Sequence, residues 1–217
     1  MAIRYTKGEE RTNTWSHAGG AVLGILIGVL MLQVCWQAGS RWAVFGVSLY
    51  LFGMLSSYLC SAIYHGLPTR SVWKERLRRF DHAAIYWHIA GSYSPLVLTV
   101  LREEAGWGWG LFAFVWTCAA VGTVLTFRNL KEHSNLETLC YIGMGLSIVA
   151  AFRPLMESVR PEVLWWIAGE GLCFITGALF YSMNRRRYMH SVFHFFVLGG
   201  SFCHIWAVWI ALEDYLS

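Results

Sequence analysis

Long runs of apolar residues, separated by short polar segments, fill most of the 217-residue chain. A membrane-spanning α-helix needs about 20 mostly apolar residues, and each run is long enough. The runs are continuously apolar rather than alternating, which disfavours a transmembrane β-barrel. The pattern predicts an all-α integral membrane protein, a seven-transmembrane helix bundle forming a single domain over residues 1–217. The predicted spans cover residues 17–38, 42–64, 80–101, 107–127, 136–156, 162–183 and 190–212.

The composition agrees with this class. Hydrophobic residues make up 56% of the chain and charged residues only 14%, an apolar share above that of ordinary soluble domains. Because the basic residues lie in the loops between spans, the net charge of +4 gives no reason to expect a nucleic-acid partner. The six cysteines lie in apolar runs without a C-x-x-C pair, which favours packing residues over disulfides or a thiolate zinc site.

The loop charges predict the orientation in the membrane. With the N-terminus in the cytoplasm, 13 Lys and Arg residues fall on the inner side and 4 on the outer side. The positive-inside rule therefore places the N-terminus in the cytoplasm and the C-terminus outside, opposite to the G-protein-coupled receptors. The inner residues are Arg4, Lys7, Arg11, Arg70, Lys74, Arg76, Arg78, Arg79, Arg128, Lys131, Arg185, Arg186 and Arg187, and the outer ones are Arg41, Arg102, Arg153 and Arg160.

Two further patterns concern packing. The stretch "TRSVWKERLRRF" at 69–80 predicts a short amphipathic helix at the inner surface, joining the second and third spans. In the first span, Gly20, Gly24 and Gly28 recur at four-residue intervals. Such a stripe lets a neighbouring helix approach closely, so it indicates helix packing within the bundle.

Polar residues converge at the inner ends of several spans. His190 and His194 begin the seventh span and, being four residues apart, project from one face of a helix. His65 ends the second span on the same side of the membrane. Ionisable residues within membrane segments usually face the bundle interior or a cavity, so a common site is expected. The same layer also contains Ser61, Asp81 and His17.

This layer favours a metal site. Three neutral imidazoles make an open tetrahedral site suited to Zn²⁺, and Asp81 could orient a bound water or a ligand ring. The competing interpretation is that histidines near the interface only form hydrogen bonds to carbonyl groups. We expect structural roles for His82, His88 and His204. Glu170 needs a partner within the membrane, and Arg153 on the neighbouring span is one candidate.

Three ordered blocks resemble the haemolysin III family, the bacterial branch of the progestin and adipoQ receptor family. They are "SAIYH" at 61–65, "FDHAAIYWHIAGSYSP" at 80–95 and "HSVFH" at 190–194, and "NTWSHAGG" at 13–20 is similar to the start of the family's first span. The resemblance implies seven helices with the N-terminus inside, zinc ligands at His65, His190 and His194, an acidic residue near a zinc-bound water at Asp81, and an accompanying serine at Ser61. It also implies a multi-pass protein of the bacterial inner membrane.

Several functions stay open at this stage. The first is a zinc-dependent hydrolase acting on a lipid amide such as a ceramide, with Asp81 as general base and Ser61 holding the water or an oxyanion. The second is a lipid-responsive sensor or membrane-homeostasis protein in which zinc is structural. A pore-forming haemolysin or an ion transporter is less well supported, because no charge series lines a full crossing. The expected partners are membrane lipids or fatty acyl chains, and the oligomeric state stays open.

Overall fold

The computed structural model describes residues 5–129, 135–183 and 186–217, which form helices and no strand. The predicted all-α class is therefore confirmed for these residues. Arg4, Lys131 and Arg185, counted above among the inner basic residues, lie outside the described residues. The helices are α1 Lys7–Gln37, α2 Arg41–Gly66, α3 Val72–Leu98, α4 Trp107–Asn129, α5 Asn135–Gly145, a 3₁₀ segment Leu146–Ala151, α6 Phe152–Ser158, α7 Pro161–Ser182 and α8 Met189–Leu216.

Six helical stretches of the described residues are long and apolar enough to cross a membrane. They are α1, α2, α4, the stretch Glu137–Ser158, α7 and α8. The third predicted span is the exception, since α3 begins with a basic segment and carries Asp81, His82 and His88 further along. From Ala83 onward every residue of α3 is buried or half-buried, and from Ala90 to the end of the helix all are buried, so polar side chains in this part are shielded by other helices.

Helices α2 and α3 pack closely at the centre of the bundle. A Cβ atom on Gly91 of α3 would lie 2.7 Å from the carbonyl oxygen of Leu49, and one on Gly53 of α2 would collide with the carbonyl of Trp87. Only glycine lets the two backbones approach this closely. The predicted packing stripe of α1 is confirmed in the same way, because Gly24 faces Met54 and Gly28 faces Leu51, both on α2.

Helix α1 begins ten residues before the predicted span. A capping box fixes this start, since Thr6 Oγ1 accepts the Glu9 N–H at 3.3 Å and Glu9 Oε2 accepts the Thr6 N–H at 2.8 Å. The first three turns of α1 are polar and reach the candidate site described below. The apolar run alone therefore located the span but not the beginning of the helix.

The amphipathic stretch is helical, but it does not form a separate helix. It begins at Val72, after Ser71 accepts the Trp73 N–H at 3.3 Å, and it continues without a break to Leu98. The helix therefore begins eight residues before the predicted span 80–101 and ends three residues before the end of that span. Trp73 and Phe80 are exposed in the described residues, as expected for side chains that meet lipid.

The fifth predicted span, 136–156, is interrupted rather than continuous. Its α-helix ends at Gly145, and a 3₁₀ segment leads into α6. Tyr93 of α3 stabilises the transition: its hydroxyl donates to the Gly145 carbonyl oxygen at 2.6 Å and accepts the Ile148 N–H at 2.9 Å. Backbone groups freed by the interruption are thus paired within the bundle, as a membrane segment requires.

The proposed pairing of Glu170 with Arg153 is wrong. Glu170 Oε2 instead lies 2.8 Å from His204 Nδ1, which joins α7 to α8. Arg153 pairs with Glu157 one turn further along its own helix, at 2.9 Å, on a strongly exposed surface. Glu170 pairs with the imidazole because His204 is buried next to it. Arg153 pairs with an exposed carboxylate instead, since that contact does not require the guanidinium to lose its water.

Candidate metal centre

His65, His190 and His194 come together in the interior, although they are up to 129 residues apart in the sequence. His65 ends α2, and the other two lie on the first two turns of α8. All three side chains are buried. The Nε2 atom of His190 lies 3.2 Å from that of His65 and 3.2 Å from that of His194. The three imidazoles therefore point their Nε2 atoms at one small volume.

These separations fit a metal ion. With Zn–N bonds of about 2.0–2.1 Å, a tetrahedral arrangement puts two nitrogen ligands roughly 3.3 Å apart. Without an ion, each of these close nitrogen pairs would need one ring to donate and the other to accept. Imidazole nitrogens alone suit zinc and several transition metals, so the donor set could hold a metal ion without selecting one.

Hydrogen bonds at the opposite ring nitrogens keep two of the Nε2 atoms free for a metal. The His65 Nδ1–H donates to Glu10 Oε2 at 2.7 Å. The Ser16 hydroxyl donates to the Asn13 carbonyl oxygen at 3.0 Å, so it can accept the His194 Nδ1–H at 3.3 Å. A donating Nδ1 leaves the lone pair on Nε2, which is the tautomer that a metal ligand requires.

Asp81 and Ser61 lie beside the histidines, as predicted. Asp81, near the start of α3, forms a hydrogen bond with the buried Ser61 hydroxyl of α2 and interacts electrostatically with His65. Asp81 does not belong to the set of atoms that could bind one ion together with the three histidines. Asp81 is therefore a neighbour of the candidate ligand set rather than a member of it.

His17 also reaches the site, on the other side of His194. The two rings stack with centroids 3.8 Å apart, and the Tyr58 ring meets His17 edge-on at 5.1 Å. All six polar residues predicted to share one layer are thus brought together around the histidine cluster. His17 packs against a ligand ring but is not part of the ligand set.

The first turns of α1 supply residues that the sequence analysis missed. Glu10, Asn13 and Ser16 all contact the cluster or its neighbours, and Asn13 Oδ1 accepts the Ser191 hydroxyl at 2.6 Å. Tyr5 stacks on His190 with a centroid distance of 4.8 Å; burial raises the pKa of its phenol, so the ring is neutral there. The available signal was the spacing of Glu10, Asn13 and His17, which places them on one helical face.

The remaining histidines have other partners in the described residues. His82 pairs with Glu137 of α5 at 3.2 Å and is not part of the candidate ligand set. His204 pairs with Glu170, and His88 packs edge-on against Tyr58 at 5.6 Å. All three residues lie outside the candidate ligand set, and the structural roles expected for them stay predictions.

The fold and this site together define a class: an all-α, multi-pass membrane protein with a buried three-histidine site that could hold a metal ion. Comparison with known proteins gives the family. The model of haemolysin-III-related proteins matches residues 5–205, and the chain belongs to that family. The predicted resemblance to the haemolysin III family is confirmed.

Comparison with individual proteins gives the same family. The chain is 33% identical to Hemolysin-3 of Bacillus cereus over 193 residues, covering 89% of this chain and 87% of the relative. It is 32% identical to the Hemolysin-3 homolog of Bacillus subtilis (strain 168), covering 91% of each chain. Monocyte to macrophage differentiation factor of Homo sapiens is 25% identical, over 93% of this chain and 83% of the relative. The bacterial relatives point to the cell membrane as its location.

Proposed function

We propose that the protein is a zinc-dependent hydrolase that cleaves an amide bond of a membrane lipid in the inner leaflet. One observation carries the proposal: three Nε2 atoms converge, with His190 at 3.2 Å from each of the other two, beside an acid and a hydroxyl, Asp81 and Ser61, that are not needed to bind the ion. A purely structural zinc site is closed by four protein ligands, whereas a catalytic one keeps a position open.

His65, His190 and His194 would hold the ion. When bound there, Zn²⁺ supplies Lewis acidity that polarises a carbonyl group and makes water more acidic. Asp81 would act as the general base, taking a proton from the attacking water and passing it to the amine nitrogen that leaves as the amide C–N bond breaks. Ser61 orients the Asp81 carboxylate through its hydrogen bond. His17, stacked against His194, limits the movement of that ring.

The location of the site supports the choice of a lipid substrate. The cluster lies among the ends of helices, and the outward faces of these helices carry large exposed hydrophobic side chains. Such faces meet acyl chains, so a bond near a lipid headgroup can approach the site from within the membrane. The choice of an amide rests on the resemblance to the haemolysin III family, whose wider relatives include ceramidase-like enzymes.

We further propose that α3 crosses the membrane as a seventh span. Its 27 residues are about 40 Å long, enough for a crossing. Between His65 at the end of α2 and His190 at the start of α8, the chain passes through α3, α4, the stretch 137–158 and α7. The two histidines lie on the same side of the membrane only if an even number of these four segments cross it. If the last three cross, α3 must cross as well. The contact between these two histidines therefore supports seven crossings.

The proposed orientation places the N-terminus in the cytoplasm, on the basis of the charge count above. A reporter enzyme that is active only in the cytoplasm, fused before residue 5, should be active, and the same reporter fused after Ser217 should be inactive. A second reporter active only outside should give the reverse result. Activity of one reporter at both ends would contradict the odd number of crossings.

A second candidate function has its own supporting observation. Helices α2 and α8 are in side-chain contact, since the Tyr58 hydroxyl of α2 donates to the Ser201 hydroxyl of α8 at 2.6 Å, but their backbones approach each other less closely than those of α1 and α2. An ion held by His65, His190 and His194 would join them directly, so the site would also serve as a structural link in a lipid-responsive sensor. In that case no bond is cleaved, and the metal contributes only to stability.

The substitution Asp81→Asn distinguishes the two candidates. Asparagine keeps the shape and can accept a hydrogen bond, but it cannot take a proton at neutral pH. If the protein is a hydrolase, the variant keeps its zinc and its fold, yet fatty-acid release from a lipid-amide panel falls by roughly 10²- to 10⁴-fold.

His194→Ala should lose zinc and activity together. The matched control is Glu75→Gln, which changes an exposed carboxylate on the first turn of the same helix as Asp81. A fully active Asp81→Asn variant would remove Asp81 from the mechanism. A zinc-loaded wild type that releases no fatty acid from any lipid would favour the structural candidate.

A further inference from the structure

We infer that Glu10 is a positioning residue for the metal centre, which acts on the ion through His65 and is itself held in place by Lys74. The inference rests on the metal-binding part of the proposed function and does not require hydrolysis. It assigns a role to the first turns of α1, which precede the apolar run and contribute no ligand from the described residues.

Glu10 links His65 to Lys74 through two short contacts. One carboxylate oxygen, Oε2, lies 2.7 Å from His65 Nδ1, and the other, Oε1, accepts from Lys74 Nζ at 2.7 Å. Lys74 also donates to the Leu67 carbonyl oxygen at 2.9 Å. The side chains of Glu10 and Lys74 are only 14% and 13% exposed. Both oxygens of Glu10 are therefore engaged, and neither is free to bind the ion.

A carboxylate at this position has specific effects on a metal-binding histidine. It fixes the ring orientation, holds the proton on Nδ1, and increases the basicity of Nε2. Lys74 lies 2.7 Å from the other carboxylate oxygen and balances the charge of Glu10. A carboxylate balanced in this way serves as an acceptor towards His65.

The same part of the chain also contacts the two ligands of α8. Ser16 accepts from His194 Nδ1, and Tyr5 stacks on the His190 ring. Glu9 Oε1 accepts the backbone N–H of Tyr188 at 2.7 Å, directly before α8 begins. Tyr188 has a positive φ of 62°, a backbone conformation that this hydrogen bond helps to hold. The segment Tyr5–Ser16 therefore aligns ligands from both helices. Of the contacts that this segment makes with a ligand ring, the one from Glu10 is the shortest.

The alternative is that Glu10 only forms a structural ion pair with Lys74. An ordinary ion pair would stabilise the protein equally with and without the ion. A positioning residue instead changes the affinity for the ion and the electronic environment at the ion, while the metal-free protein is affected less. Measurements on metal-free and metal-loaded protein separate the two roles.

The experiment compares wild type with Glu10→Gln in detergent. Zinc affinity is measured by competition with a chromophoric chelator, and the Co²⁺-loaded protein gives a visible absorption spectrum that reports ligand geometry. Loss of an outer carboxylate partner weakens metal binding by about 10- to 100-fold, which equals roughly 1.4–2.7 kcal/mol. We expect that loss together with a shifted Co²⁺ spectrum, and little change in the unfolding of metal-free protein.

The matched control is Glu75→Gln, which removes an exposed carboxylate paired with Arg78. It should keep wild-type zinc affinity. If Glu10→Gln does not fold, Lys74→Met replaces it: the Glu10 carboxylate remains but loses its anchor, so affinity should fall by a smaller factor. Wild-type affinity and an unchanged Co²⁺ spectrum in the variant tested would overturn the inference. A wild type that binds no metal would instead refute the proposed function itself.

Discussion

The buried pair of Glu170 and His204 allows a sharp test of how this bundle treats polar side chains away from the candidate metal centre. The pair joins α7 to α8 at 2.8 Å, and the two side chains are only 14% and 6% exposed. Replacing Glu170 by Leu leaves the His204 Nδ1–H without an acceptor. Replacing both residues by Leu removes the need for the pairing altogether.

The expected magnitudes follow from this burial. Interhelical hydrogen bonds in membrane bundles average about 0.6 kcal/mol and reach about 1.7 kcal/mol. A buried donor left without a partner costs roughly 1–3 kcal/mol. We therefore expect Glu170→Leu to lower the free energy of unfolding by about 2 kcal/mol. Glu170→Gln should cost about half as much, since its amide oxygen still accepts from His204 Nδ1.

The assay is equilibrium unfolding in mixed micelles, analysed as a double-mutant cycle. The double variant should be more stable than the sum of the two single changes predicts, by about 1–2 kcal/mol. Glu162→Gln, a change at an exposed position on the first turn of α7, serves as control and should be nearly neutral. Purely additive costs would show that the observed contact contributes no pairing energy, and would refute the reasoning.

Two further substitutions test the helix packing. Gly53→Ala should destabilise the bundle by about 1–3 kcal/mol, because the new methyl group meets the Trp87 carbonyl and forces α2 and α3 apart. The matched control is Gly143→Ala, at a glycine that faces open space, and it should not destabilise the bundle. Tyr93→Phe removes the hydroxyl that pairs with the backbone on both sides of the 3₁₀ transition, and should cost about 1–3 kcal/mol in the same unfolding assay. A Gly53→Ala variant as stable as Gly143→Ala would contradict the close α2–α3 contact, and unchanged stability of Tyr93→Phe would contradict the role given to its hydroxyl.

The helices could largely be predicted from the sequence, because each apolar run exceeds the thickness of the membrane interior. Their ends could not. Helix α1 extends back to Lys7 because Thr6 and Glu9 cap it and because its polar first turns find partners on α2 and α8. The break at Gly145 depends on the hydroxyl of Tyr93, a residue about 50 positions earlier. The residues of the fifth apolar run contain no pattern that predicts the contact with Tyr93.

The candidate site, like the helices, could be predicted from the sequence only in part. His65, His190 and His194 could be predicted because the predicted alternating spans bring the end of the second and the start of the seventh to one side of the membrane. Glu10 and Ser16 could not be assigned, since they lie in what reads as a charged tail followed by an apolar run. Their function depends on distances to His65 and His194, which only the packed bundle provides.

The most direct test of the central claim is the metal content of the purified protein. Wild type, loaded with zinc and passed through a desalting column, should retain about one ion per chain, bound by the three imidazoles. His190→Ala should retain almost none. His82→Ala, whose ring pairs with Glu137 away from the cluster, should retain as much as wild type. Zinc-free wild type, or His190→Ala with its full zinc content, would contradict the account.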